Sequence, residues 1–209
     1  MMLKNKWFRF SLVLFLIPLA AIVLTYNQLP AQIVTHFDIN GEPNGYMSKF
    51  IGLYGIWLFM LVMHVVCSFM TFKDPKRDNI PDIGIRIIMM ICPVICLLVD
   101  LVIISYSLGY HFNTVYIMNI LVGLLFVVLG NYLPKVKKNY TFGIRTSWAL
   151  DNDENWNKTN RLGGYCFVIA GMLYIILSVF NYMFLSIGVI VIASLIPVVY
   201  SYKLHQEGM

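Results

Sequence analysis

Charge is scarce in this 209-residue chain: only 12% of its residues are Asp, Glu, Lys or Arg. Soluble domains carry about 25%. The shortage excludes an ordinary soluble domain and, with 59% hydrophobic residues, a disordered chain. Acidic residues are scarcer than basic ones, 10 against 15. In so apolar a chain the net charge of +5 reports orientation in a bilayer before it reports a partner. Direct nucleic-acid binding is therefore not expected. The four cysteines, Cys67, Cys92, Cys96 and Cys166, all lie in apolar stretches, so no disulfide framework staples a loop. Cys92 and Cys96 stand one helical turn apart, half of a metal site, but no loop cysteine completes it. Packing is the simpler use. The sequence also lacks a nucleophile motif and a phosphate loop. We expect no cofactor, no metal and no separate catalytic domain.

What is present is long apolar sequence. Four stretches lack every charged residue: 10–35, 50–72, 101–134 (extended backwards by 87–99 across Asp100) and 162–202. A helix needs about 20 apolar residues to cross the hydrocarbon, so the last stretch has room for two crossings. Gly109-Tyr110-His111-Phe112-Asn113 divides the third stretch and Asn181-Tyr182 the fourth. Six helices are predicted, near 10–27, 51–72, 87–108, 115–133, 164–181 and 183–202. The runs are continuously apolar rather than alternating, which favours helices over a barrel. The fold class is an all-α integral membrane protein of six transmembrane helices. Pro18, Pro93 and Pro197 should kink their helices.

Basic residues set the direction. With the N-terminus in the cytoplasm, fourteen Lys and Arg fall inside and only Lys49 outside. Both termini are then cytoplasmic, with one ordered extracytoplasmic loop (28–50) and one large cytoplasmic loop (134–163). Lys4, Lys6 and Arg9 precede the first apolar run as in a signal peptide. That run is long for one and lacks a small-x-small cleavage site, so a retained helix is expected. The chain divides into an N-terminal module (1–72), a connector (73–86) and a C-terminal four-helix module (87–209) carrying the loop 130–164. The connector has mixed charge and two prolines, and reads as solvated.

In the outer loop, Ile33 to Phe37 is β-branched and aromatic and suits a short extended segment. Asn40-Gly41 and Asn44-Gly45 are turn dipeptides. The turns should cluster His36, Asp38, Glu42 and Lys49, the candidate ligand-binding residues. Asp38, Asn40 and Glu42 have the spacing that opens a calcium loop, but Pro43 stands where such a loop needs Gly. Zinc binding, acid-base work and plain hydrogen bonding within the turn are the other uses open to these side chains.

The inner loop holds the second group: Asn131, Lys135, Asn139, Arg145, Thr146, Trp148, Trp156 and Thr159. Asp151 with Glu154 fits a capping box with Asp151 as N-cap. A helix from there to about Arg161 puts Trp156, Thr159 and Asn160 on one face. Gly163-Gly164 would let the chain bend into the fifth span. The lysines and aromatics suit a membrane-interface anchor. Arg145, between Ile144 and Thr146, offers donors for a carboxylate or phosphate; its simplest use is an ion pair with Asp151, Asp153 or Glu154. Two ionisable residues fall inside spans, Asp100 and His64, and such groups are functional candidates by default. Their depths differ, so direct pairing is not expected.

Both loops resemble a known family. Leu29-Pro30, His36-Phe37-Asp38, Gly41 and Ser48-Lys49 resemble the amino-terminal module of the SdpI-like bacterial immunity and signal-transduction proteins. Gly130-Asn131, Pro134-Lys135, Asn139, Gly143-Ile144-Arg145-Thr146, Trp148, Leu150, Trp156, Thr159 and Gly164 are similar to its carboxy-terminal signature. Ser147 and Asn160 depart from it, standing where the family often has Pro and His. The resemblance implies a multi-pass protein of the bacterial inner membrane that gives resistance to a secreted antimicrobial peptide toxin. It further implies a cytoplasmic winged-helix repressor as partner, held by the inner loop. The alternative is an intramembrane enzyme or proton-coupled transporter using Asp100, and a third reading is a passive membrane component.

Overall fold

A computed structural model describes every residue except Met1, Ile39, His111 and Asn181. His111 and Asn181, two of the residues expected to divide the longer stretches, lie outside the described set. Among the described residues six helices are long and apolar enough to cross a membrane: Lys6–Gln28, Ile51–Lys73, Asp82–Ser107, Thr114–Lys135, Asp153–Val179 and Met183–Gln206. They agree with the six predicted runs.

The first span is two helices, α1 (Lys6–Leu14) and α2 (Leu16–Thr25). Asn5 starts α1 by accepting the N–H groups of Trp7 and Phe8. The break at Phe15 has a local cause: Pro18 has no N–H to give the Leu14 carbonyl. The chain then forms a hairpin, β1 (Gln32–Phe37) and β2 (Pro43–Ser48), antiparallel with Ile33 opposite Met47 and His36 opposite Gly45. The remaining long helices are α3 (Ile56–Lys73), α4 (Asp82–Ser107), α5 (Thr114–Tyr132), α7 (Asp153–Val179) and α8 (Met183–Gln206); a short α6 (Ser147–Asp151) precedes α7.

The chain forms two compact units that do not follow chain order. One comprises Met1–Lys73 with Ile85–Val115, the other Asp74–Gly84 with Tyr116–Met209. Most of α4 thus joins the first three helices and the hairpin, where a division at 72 and 87 puts it with the C-terminal helices.

In the first unit the core joins hairpin to helices. Ile33 of β1 and Leu29 are buried with Ile22, Leu53, Ile103 and Ile104. Gly52 permits this approach, since a Cβ there would lie 2.7 Å from Ile33 Cδ1. In the second unit α5 and α7 touch backbone to backbone. A Cβ on Gly130 would fall 2.7 Å from the Gly164 oxygen, and one on Gly171 would fall 2.5 Å from the Gly123 oxygen. Two glycines seven residues apart on each helix therefore face two on the other, the small-residue contact that substitutes for hydrophobic driving force in lipid.

Gly163-Gly164 do not bend the chain: α7 runs unbroken from Asp153 to Val179. These glycines are needed for closeness rather than for a turn, because a Cβ on Gly163 would meet Ile144 Cδ1 at 2.0 Å.

Candidate functional site

The hairpin brings together three of its four expected ligand residues. Asp38 Oδ1 accepts the N–H of Asn40 at 2.8 Å and of Glu42 at 2.9 Å, and the Asp38 N–H donates to the Glu42 carbonyl. Gly41 sits at φ 87°, which the turn requires. Asn44-Gly45 is not a second turn. It lies in β2, where His36 Nδ1 meets Asn44 Oδ1 and a Cβ on Gly45 would come within 2.7 Å of His36 Cβ. Lys49 separates from the others. Its Nζ donates to the Tyr26 and Leu29 carbonyls at 2.9 and 3.1 Å and lies 4.5 Å from the Tyr26 ring centre. It ties the hairpin base to the end of α2. Beyond Asp38 the hairpin presents apolar surface at Tyr46 and Met47, 57% and 47% exposed, and the second span starts directly after it with exposed Phe50 and Ile51.

The Glu42 N–H, and after it the Asn40 N–H, hold the Asp38 carboxyl below its ordinary 3.8. A lowered value means that the carboxylate supports the turn fully above 3.8 and loses that support as pH falls through the folded value. The amide signals of Asn40 and Glu42 should therefore stay constant from neutral pH to about 4 and shift together below it. Asp38→Ala should abolish that transition; a transition that persists in the variant assigns it to another group.

The second unit builds its loop around buried amides. Asn139 Oδ1 accepts from the N–H groups of Thr141 and Phe142, while its Nδ2 donates to the Lys137 and Phe142 carbonyls. Trp156, fully buried, donates Nε1–H to the Val136 carbonyl at 2.8 Å. Gly143 (φ 131°) lies against that indole, and a Cβ there would be 2.8 Å from Cη2. Asn160 closes the turn, accepting the Ile144 N–H at 2.7 Å and donating to the Ile144 carbonyl. Thr146 caps α6 through the Ala149 N–H and meets Ser201 Oγ of α8 at 2.6 Å. Ser201 and Thr159 in turn donate to Asn155 Oδ1 at 2.8 and 3.0 Å.

These contacts sort the predicted residues. Asn139, Trp156 and Thr159 are buried and shape the loop. Asn131, Lys135 and Arg145 are exposed, and Trp148 is half-buried against Tyr202 and His205. Arg145 makes no ion pair with Asp151, Asp153 or Glu154; its Nη1 donates to the Tyr140 carbonyl. Two of the acids have other partners, since Lys138 pairs with Asp153 at 2.5 Å and Lys158 with Glu154 at 2.8 Å. The cap of α7 is Asn152 rather than Asp151, its side chain accepting from the N–H groups of Glu154 and Asn155.

Sequence reasoning missed Asp74, Asn155 and Ser201. Asp74 belongs to the segment expected to be a solvated connector, yet it is buried and its Oδ2 accepts from the Tyr140 N–H at 2.8 Å and Thr141 Oγ1 at 2.7 Å. Asn79 donates to the Lys138 carbonyl. The connector is a strut under the loop. A carboxylate beside two prolines and three cations carries no local mark of this.

The two intramembrane candidates do not pair. His64 Nε2 meets Ser11 Oγ at 2.8 Å between the rings of Phe8 and Phe15. Ser11 donates its own hydrogen to the Phe8 carbonyl, so the imidazole N–H is the donor to Ser11. Asp100 Oδ2 accepts from Cys96 Sγ at 3.4 Å.

Comparison with known proteins accounts for both ends of this geometry. Residues 135–201, the loop with α6, α7 and most of α8, match the model of the SdpI/YfhL protein family. Residues 13–62, the hairpin with α2 and the first part of α3, match Domain of unknown function (DUF1648). The immunity protein SdpI of Bacillus subtilis is 26% identical over 180 residues, covering 83% of each chain. The chain thus resembles that immunity protein over most of its length. No solved structure matches it. As an SdpI-like chain with six spanning helices, it is a multi-pass protein of the cell membrane. The matched segments contain every hairpin residue named above and every inner-loop residue except Asn131. Asp74, His64 and Asp100 fall outside both.

Proposed function

We propose that this SdpI-like protein confers resistance to a secreted membrane-active peptide toxin, which it meets at the hairpin. The observation that carries the reading is the extent of its likeness to a protein named as an immunity protein, 83% of each chain, with the two family models matching the segments that hold the loops. The hairpin supports it chemically. A peptide that attacks membranes is apolar or amphipathic, and the exposed Tyr46 and Met47 on the same hairpin as His36, Asp38 and Glu42 offer both kinds of contact. Lys49 acts on this surface indirectly, by fixing its base.

On the charge distribution, the opposite face is cytoplasmic. There Arg145, with Asn131, Lys135 and Trp148, forms the surface for a cytoplasmic partner, a winged-helix repressor in the fullest form of the reading. Asn139, Thr146, Trp156 and Thr159 hold that surface in shape.

The test is survival of a sensitive strain exposed to Sdp-type toxin peptide. The strain carries wild type, the double variant His36→Ala/Asp38→Ala, Arg145→Ala or no insert, with membrane levels matched by blotting. Wild type should protect, the hairpin variant should not, and Arg145→Ala should still protect while losing any transcriptional response. Equal loss in both variants removes the two-site reading; no protection by inserted wild type removes the toxin.

A further inference from the structure

The first unit contains an acid that no loop function uses. Asp100 is 0% exposed. Its Oδ2 accepts from the Cys96 thiol one turn earlier on α4, and its Oδ1 has no partner among the described residues. Among the described residues no Lys, Arg or His nitrogen pairs with it. Ser107 Oγ, two turns further along the same helix face, is also buried without a partner among the described residues. A carboxylate held away from both water and cations is far costlier than the neutral acid.

We propose that Asp100 is an intramembrane proton-binding site, and that the proton it holds keeps the floor of the hairpin dry. The connection is local. Val99, Ile103 and Ile104 flank Asp100 on α4 and pack into the cluster with Ile22, Leu29, Ile33 and Leu53. Tyr106, on the same helix, meets Phe37 of β1 edge-on with ring centres 4.9 Å apart. Removing the proton places an unpaired anion one turn from that cluster. Water drawn to the anion enters the layer on which Ile33 rests, and the hairpin loosens. The site binds a proton whether or not the hairpin binds a toxin, so it stands apart from the immunity reading.

Other ionisable groups lie nearby and must be separated from it. Cys96 touches Asp100 directly. Tyr26 and Tyr54 border the cluster, Tyr106 meets the hairpin, and Lys49 sits over the Tyr26 ring. His64 is engaged with Ser11. Asp100→Asn leaves all of these in place and replaces the acid by a neutral side chain of the same shape.

The experiment uses the full-length protein in phosphatidylcholine liposomes, wild type against Asp100→Asn. Infrared difference spectra at neutral pH should contain the C=O stretch of a protonated carboxyl in wild type that the variant lacks. Hydrogen exchange of the β1 amides, read as the ratio of wild type to variant so that the intrinsic pH dependence cancels, should show wild type losing protection as pH rises. A carboxylate band in place of the protonated one overturns the proton site. An exchange ratio that stays flat across the pH range overturns the coupling to the hairpin.

Discussion

Trp156→Ala should destabilise the second unit by about 3–5 kcal/mol, the range for removing a buried Trp from a packed core. The indole is fully buried and supports three things at once. It fills the space beneath Gly143, it satisfies the Val136 carbonyl through Nε1, and it packs the start of α7 against the loop. Truncation leaves a cavity and an orphaned carbonyl in a region with little water to replace the lost bond. Trp156→Phe keeps much of the volume and loses the N–H, so it should cost about 1–3 kcal/mol. Denaturation in mixed micelles, followed by circular dichroism, measures both. Exposed Arg145→Ala in the same assay should stay within about 0.5 kcal/mol of wild type. A Trp156→Ala protein that unfolds with Arg145→Ala means the loop is not held by the indole.

Gly171→Val should be of comparable size, through the opposite physics. Its Cβ would lie 2.5 Å from the Gly123 oxygen and 3.0 Å from the Val127 nitrogen, backbone atoms that cannot rotate away. The helices must part, and with them the Gly130–Gly164 contact one heptad along. Overpacking a well-filled core costs about 1–3 kcal/mol, and a backbone-to-backbone clash falls at the top of that range. Gly188→Val is the matched control: nothing lies within 4 Å of a Cβ there. The expected result is a lowered thermal midpoint and reduced membrane yield for Gly171→Val alone. If the two glycine variants melt together, α5 and α7 do not depend on this contact.

Much of this architecture is legible in one dimension because lipid is an undemanding solvent for apolar side chains and an intolerant one for bare peptide groups. Any run of about 20 apolar residues has to become a helix there. The hairpin was half legible. Ile33 to Phe37 has the composition of a strand, whereas Pro43 to Ser48 has almost none of it and pairs because β1 offers an edge. Of the two Asn-Gly dipeptides, only Asn40-Gly41 turns, since the Asp38 carboxylate is placed to receive the amides that follow. The inner loop shows a similar limit. Its residue types are distinctive, but whether a Trp, Asn or Thr faces a partner or the interior depends on neighbours far along the chain. Trp156, Asn139 and Thr159, candidates for a binding surface by residue type, are buried and hold the loop in shape.

The sequence by itself determined the number of spans, the membrane setting and the likeness carried by both loops. Each of these depends on composition or on local order, which any conformation of the chain preserves. Tertiary structure alone decided that α4 joins the first unit, that Asp74 props a loop 66 residues away, that Gly163-Gly164 serve close packing rather than a bend, and that Asp100 has a thiol for a neighbour instead of a cation. Each of those depends on distances between residues remote in sequence, and these exist only once the helices have packed.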